Sequence, residues 1–240
     1  MRVQKYGGNL YQLTRWGAFN CYFVREAEGL TLVDTGLPGS SRAILETAEQ
    51  IGLPITRVAL THAHTDHVGS LDEVVAHLPQ AEIAFTGRTA RFLSGDLSLL
   101  PDEPQAKLRG GFSRRQTKAT RTLQPGDRFG SLEVITAPGH APDHIAFLDT
   151  RDGTLLAGDA FQTQAGVAVA GTLRWLFPFP ALATWHRPTA LETARTLRHL
   201  KPSRLAVGHG RVIDQPDAAM AEAIAQAERQ LGKLSLQQRM

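Results

Sequence analysis

Four apolar runs, remote from one another along the chain, each end in a side chain able to ligate a metal: "VALTHAHTDH", "VITAPGH", "LLAGDA" and "LAVGHG". Short apolar runs rich in β-branched residues and stopped by Gly or Pro read as buried strands. Strand termini on one edge of a sheet lie close in space even when far apart in sequence, and rigid strands hold such side chains ready to converge. The fold must therefore be one whose sheets gather these ends. The residues concerned are His62, His64, Asp66, His67, His140, Asp159 and His209, which together offer five imidazoles and two carboxylates.

The remaining sequence fits strands with helices after them. "NCYFVREAEGLTLVDTG" reads as a hairpin turning at Glu28-Gly29. "SSRAILETAEQIG" places Ile44, Leu45, Ala48 and Ile51 on one helical face, with Gly52 and Pro54 as stop signals. "TRVALTH" and "AEIAFTG" are strands, and between them Val68, Leu71, Val74, Val75 and Leu78 recur at helical spacing up to Pro79. Residues 88–125 mix Pro, Gly and charge without a clean period, and read as short helical pieces and loops flanking a cleft. "SLEVITAPGH", "HIAFLDT", "TLLAGDAF" and "SRLAVGHG" are further strands. A helix runs from about Pro188 to Leu200 with Leu191, Ala194, Leu197 and Leu200 on its apolar face, and Asp214 caps an Ala-rich closing helix whose first turn accepts Pro216. No linker divides the chain, so residues 1–240 are expected to form one domain. Strand-rich blocks followed by helices in both halves predict an α/β (α+β) fold, a four-layer αββα sandwich of two mixed sheets flanked by helices.

Bulk properties narrow the chemistry. With 26 basic and 23 acidic residues the formal charge is +3, and no Lys/Arg block calls for a polyanionic partner. A lone Cys21 excludes an internal disulfide and a cysteine-rich zinc knuckle. The opening "MRVQKYGGNLYQL" does not read as a signal peptide, and no apolar stretch is long enough for a transmembrane helix, so the expectation is a cytoplasmic protein with no membrane partner. The donor inventory exceeds one tetrahedral ion, which in a catalytic zinc site takes three protein ligands and water. It divides naturally into three ligands for each of two ions, with one carboxylate bridging. Nitrogen and oxygen donors without thiolate suit zinc, while iron, manganese, cobalt and nickel stay open. Two such ions share a hydroxide and polarise a substrate carbonyl or phosphoryl oxygen, so the pattern points to a hydrolase.

"THAHTDHVGS" resembles the His-x-His-x-Asp-His signature of the metallo-β-lactamase superfamily, and "APGH", "AGD" and "GHG" follow in that family's order. The resemblance runs from "LVDTG" to "VGHG". It implies the αββα sandwich with a dinuclear site at one edge. His62, His64 and His140 would hold one ion and Asp66, His67 and His209 the other, with Asp159 bridging and Asp66 also orienting the attacking hydroxide. Asp34 in "LVDTG" matches a family aspartate that supports the metal-binding loop without ligating, and His144 would support or pack beside the site. Three departures bear on the substrate. "HAPDH" has Asp143 where the family often has Gly; Asp159 itself counts against antibiotic hydrolysis; and "GDAFQTQ" puts Phe161 and Gln162 where acyl-homoserine lactonases of this fold carry a substrate-contacting tyrosine.

The reading is a dinuclear hydrolase of a small ester, lactone or thioester. A glyoxalase-II-like thioesterase and a phosphodiesterase or nuclease of the same fold rank behind it. Nucleic acid is a disfavoured partner, because the large insert or clamping arm of such nucleases is not evident. The aromatic-rich "GTLRWLFPFPALATW" is read either as a hydrophobic wall for an acyl or aromatic substrate, with Trp175, Phe177 and Phe179 beside Phe161 and Gln162, or as a homodimer contact. Arg114, Arg115, Lys118 and Arg121 read as solvated surface. His77 and His199 lie in helices off the motifs and are expected to be solvated or capping, while His186 follows the apolar segment and is not assigned to the cleft.

Overall fold

A computed structural model describes residues 1–237. Its elements in chain order are β1 (Arg2–Tyr6), β2 (Leu10–Arg15), β3 (Phe19–Arg25), β4 (Leu30–Val33), α1 (Ser41–Ile51), β5 (Ile55–Ala59), α2 (Thr65–Val68), α3 (Leu71–Ala76), β6 (Glu82–Thr86), α4 (Gly87–Ser94), β7 (Arg121–Leu123), β8 (Arg128–Phe129) and β9 (Leu132–Thr136). They continue with β10 (Ile145–Asp149), β11 (Thr154–Leu156), β12 (Phe161–Gln162), β13 (Ala168–Val169), α5 (Phe179–Ala183), α6 (Arg187–His199), β14 (Arg204–Ala206), β15 (Ile213–Asp214) and α7 (Asp217–Gln237). A seven-stranded sheet runs β1 to β7 in order, a six-stranded sheet runs β15-β14-β11-β10-β9-β8, and β12 pairs β13 alone. Both large sheets are mixed, as expected. The chain divides into two compact units, Met1–Ser98 with Gly111–Val134, and Leu99–Gly110 with Ile135–Met240.

In the first unit, β1 to β4 form an antiparallel meander, and β4 to β7 then run parallel. The meander follows from tight turns at Gly7-Gly8, Trp16-Gly17 and Glu28-Gly29, whereas parallel neighbours require the helical crossovers that α1 to α4 supply. β4 is buried along its whole length, as befits a central strand covered on both faces. Helix α1 ends at Gly52, whose φ of 77° closes the helix with left-handed geometry. Its buried face is Ile44, Thr47 and Ala48, while Leu45 and Ile51 are half-buried; the apolar stripe lies slightly off the one read from the sequence. The 88–125 stretch contains the rest of α4 and the strand β7, a parallel edge strand too short to leave a period in the sequence.

The second unit has a core of Ala137, Leu155, Phe161, Val169, Leu191, Ala194, Leu197, Leu205 and Met220 among others. Four elements supply much of it. Leu191, Ala194 and Leu197 come from the inner face of α6, Met220, Ala223 and Ala227 from α7, and Leu155 and Leu205 from two adjacent strands. Each large side chain fully buried there contributes roughly 1.5–3 kcal/mol. Pro188 opens α6, where a missing amide proton costs nothing. Asp214 does not cap α7: it lies in β15, and its carboxylate pairs with Arg204 at 2.7 Å. A cross-strand cation outcompetes the local capping pattern, and the helix begins at Asp217.

Candidate metal centre

In the first unit, the parallel pair β4 and β5 ends in register at Val33 and Ala59, so both strands release their loops at the same edge. Loops leaving the carboxyl ends of parallel strands are where α/β sheets bind ligands. Asp34 follows β4 immediately, with φ at 61°, a left-handed conformation that Asp tolerates better than most residues. Its buried carboxylate accepts three hydrogen bonds: from the Thr61 amide to Oδ1 at 2.8 Å, and from the Thr61 hydroxyl and His67 Nδ1 to Oδ2, each at 2.8 Å.

These bonds dictate the tautomers. A carboxylate only accepts, so His67 carries its hydrogen on Nδ1 and keeps the Nε2 lone pair. The Thr61 hydroxyl gives its single proton to Asp34, and therefore accepts from His62 Nδ1 at 3.0 Å. His62 Nε2 is left as a ligand atom too, and it faces His64 Nδ1 at 3.1 Å. Helix α2 then sets Asp66 beside His67, with Asp66 Oδ2 4.0 Å from His67 Nε2 and the Asp66 side chain 27% exposed. The loop is stitched down by Thr35 N–H to His67 O at 2.7 Å and Gly69 N–H to Gly36 O at 2.8 Å. Gly69 is obligatory: a Cβ there would lie 2.3 Å from Pro38 N.

The second unit repeats the device. β11 and β14 are parallel, with Leu156 opposite Ala206, and the ladder runs on through Ala157 N–H to Ala206 O and Gly208 N–H to Gly158 O. Asp159 and His209 thus stand side by side, His209 Nε2 3.0 Å from Asp159 Oδ2. His140 Nε2 lies 3.3 Å from the same oxygen. His144 Nε2 accepts the Asp159 amide proton at 3.0 Å, so that nitrogen secures the loop rather than facing the carboxylate. Thr184 Oγ1 stands 3.2 Å from His140 Nδ1, and the Phe177 ring lies 5.4 Å from that of His209.

The donor set fits a divalent ion. Each of His62, His64, Asp66, His67, His140, Asp159 and His209 presents an atom able to ligate one. A tetrahedral ion with metal–nitrogen bonds of about 2.0–2.1 Å sets neighbouring donors about 3.3 Å apart. The separations of 3.1 Å for His62–His64, 3.3 Å for His140–Asp159 and 3.0 Å for His209–Asp159 lie close to that value. Buried imidazoles whose outer nitrogens are already held by protein oxygens are the usual metal-site arrangement.

Among the candidate substrate contacts, Phe161 is buried within the second unit's core, where its ring serves packing. Gln162 is buried and its amide lies 3.5 Å from Phe177 O. Phe177 is buried, whereas Trp175 and Phe179 are 86% and 62% exposed. His77 Nδ1 and His199 Nδ1 each lie 2.8 Å from a carbonyl one helical turn back, Glu73 O and Arg195 O. His186 caps α6 by accepting the Thr189 amide proton. Sequence reasoning missed Thr61, Thr184 and Phe112. The last forms a backbone bridge with His64 and sets its ring 4.7 Å from that imidazole.

Comparison with known proteins gives a consistent picture. The family model for the metallo-beta-lactamase superfamily matches residues 14–209. The chain is 45% identical over 233 residues to the uncharacterized protein YobT of Bacillus subtilis (strain 168), covering 95% of this chain and 100% of that one. It is 30% identical over 212 residues to the probable metallo-hydrolase YflN of the same organism, covering 80% of each. A crystal structure of TTHA1623 in a di-iron-bound form matches with a TM-score of 0.62 at 24% identity, over 86% of this chain and 94% of that one, a likeness of fold.

Proposed function

Because the chain belongs to the metallo-beta-lactamase superfamily, we propose that it is a dinuclear metal-dependent hydrolase acting on a small ester, lactone or thioester. The observation that carries this reading is Asp159 Oδ2, which lies 3.3 Å from His140 Nε2 and 3.0 Å from His209 Nε2. One carboxylate oxygen is shared by two imidazoles that the family pattern assigns to different ions, as a bridging ligand requires. In this reading His62, His64 and His140 hold one ion, Asp66, His67 and His209 the other, and Asp159 both.

Bound there, two divalent ions would supply Lewis acidity towards a carbonyl oxygen and a hydroxide nucleophile at neutral pH. The protein's part is orientation and proton handling. Asp34 and Thr61 keep the Nε2 lone pairs of His67 and His62 available. Asp66 is the least buried of the seven donors and has a carboxylate oxygen placed beside His67 Nε2, which suits it to orient the nucleophile and receive its proton. The nitrogen–oxygen donor set favours zinc and also accepts iron, manganese, cobalt or nickel. Trp175, Leu176, Phe179 and Leu182, with exposures of 86, 90, 62 and 57%, offer an apolar face for an acyl or aromatic substrate group. No helix among the described residues is long and apolar enough to cross a membrane.

The test is metal analysis of the purified protein followed by a panel of lactones, aryl esters, thioesters and phosphodiesters. We expect about two ions per chain, and turnover on one of the first three classes that His62→Ala and Asp159→Ala reduce by about a thousandfold or more while the protein stays folded. Turnover confined to phosphodiesters, or full activity in metal-stripped Asp159→Ala, overturns the reading.

A further inference from the structure

We propose that Thr184 is the positioning residue for His140, its hydroxyl fixing hydrogen on Nδ1 so that Nε2 is the nitrogen presented for coordination. This rests on the reading of His140 as a metal ligand. Two backbone hydrogen bonds press the 184–186 segment onto the 139–140 loop: Trp185 N–H to His140 O and His186 N–H to Gly139 O, both 2.9 Å. Gly139 permits this approach, because with φ at 129° a Cβ there would lie 2.3 Å from Ala190 N, at the first turn of α6. The segment is therefore anchored independently of the Thr184 side chain.

The hydroxyl sits at the end of α5 and donates to Pro180 O, one helical turn back, at 2.7 Å. A hydroxyl has one proton and two lone pairs. With that proton committed to Pro180, Oγ1 only accepts from His140 Nδ1 at 3.2 Å, so Nδ1 bears the hydrogen. His62 meets the same arrangement in the first unit, where the Thr61 hydroxyl spends its proton on Asp34 and accepts from Nδ1. In each unit a threonine whose proton is already engaged selects the imidazole nitrogen left for an ion. Thr184 is buried, so water does not stand in for it when the hydroxyl is removed.

Thr184→Val deletes the hydroxyl at nearly constant volume, and Thr184→Ser restores it without the methyl group. Zn2+ affinity is measured by competition with a chromophoric chelator, and exchange of the His140 Nδ1–H proton by NMR of the Zn2+-loaded, 15N-labelled protein. We expect about a 10–100-fold loss of Zn2+ affinity and faster Nδ1–H exchange in Thr184→Val, with Thr184→Ser close to wild type. Wild-type affinity and exchange in Thr184→Val, or a serine variant as weak as the valine variant, overturns the inference while leaving the metal centre standing. If wild-type protein takes up no Zn2+, the metal-ligand reading fails and this inference falls with it. If Thr184→Val does not fold, the serine variant and the wild-type spectrum decide: a His140 resonance lacking a protected Nδ1–H overturns it.

Discussion

Asp34 serves two imidazoles with one carboxylate, His67 directly and His62 through the Thr61 hydroxyl. Removing it strands three buried donors, the Thr61 amide, the Thr61 hydroxyl and His67 Nδ1–H. Unpaired buried donors cost about 1–3 kcal/mol each, partly relieved by local rearrangement. Asp34→Ala should therefore lower the stability of the metal-free protein by about 3 kcal/mol in urea denaturation, and weaken Zn2+ binding as well. A metal-free variant as stable as wild type would show that the network carries no load. Residues of this kind divide sharply in how far they can be read from sequence. The seven donors and Asp34 stand in a dense, ordered pattern with a recognisable chemical purpose. Thr61 and Thr184 do not, because a hydroxyl's value depends on which group tertiary folding brings to it: Thr184 meets a histidine 44 positions away. Asp214 fails in the opposite way. Its local sequence looks like a helix cap, but Arg204 on the neighbouring strand claims the carboxylate.

Elements place most of the donors by a repeated device: the loop after β5, beside parallel β4, carries His62, His64, Asp66 and His67, and the loops after the parallel pair β11 and β14 carry Asp159 and His209, while His140 follows β9. The loop after β5 depends on a close backbone passage at Gly69, where a Cβ would meet Pro38 N at 2.3 Å. Gly69→Ala should cost about 3 kcal/mol by forcing that backbone apart, detectable as a lowered thermal midpoint in the metal-free protein. Helix α3 holds a second latch, since Asp72 accepts from Gln116 N–H and from the amide and hydroxyl of Thr117. Burial raises its pKa, but those hydrogen bonds and the nearby Arg115 charge outweigh burial and hold it below the usual carboxylate range. A depressed carboxylate stabilises the fold above its unfolded pKa, and that contribution is lost as pH falls through the lower folded value. As pH falls below the ordinary carboxylate pKa of about 4, the protection factors of the Gln116 and Thr117 amides, taken relative to intrinsic exchange at each pH, should fall, and Asp72→Asn should show reduced protection already at pH 7. Unchanged protection on acidification would rule the latch out. Strands and helices with a full period were legible in the sequence. The three-residue edge strand β7 was not, because nothing in Arg121–Leu123 alternates and its neighbour β6 decides its conformation.

At the scale of the whole molecule, strand-rich blocks followed by helices in both halves, with the motifs in family order, were enough to read two mixed sheets and the family. Bound metal should stabilise the fold by mass action. With Zn2+ at a hundredfold its Kd, the gain is about 2.7 kcal/mol, seen as a rise in thermal midpoint that a chelator reverses. A midpoint indifferent to Zn2+ would mean the native state gains nothing from the ion. The ladder joining β11 to β14 has a consequence for selectivity. It pins Asp159 and His209 next to each other, while the long excursion that separates them in sequence carries β12, β13, the apolar turn, α5 and the whole of α6. Its exposed tip, Trp175 and Leu176, is free of the core and of the His140 loop, so that is where a change of side chain should alter which guest is held while the donors keep their places.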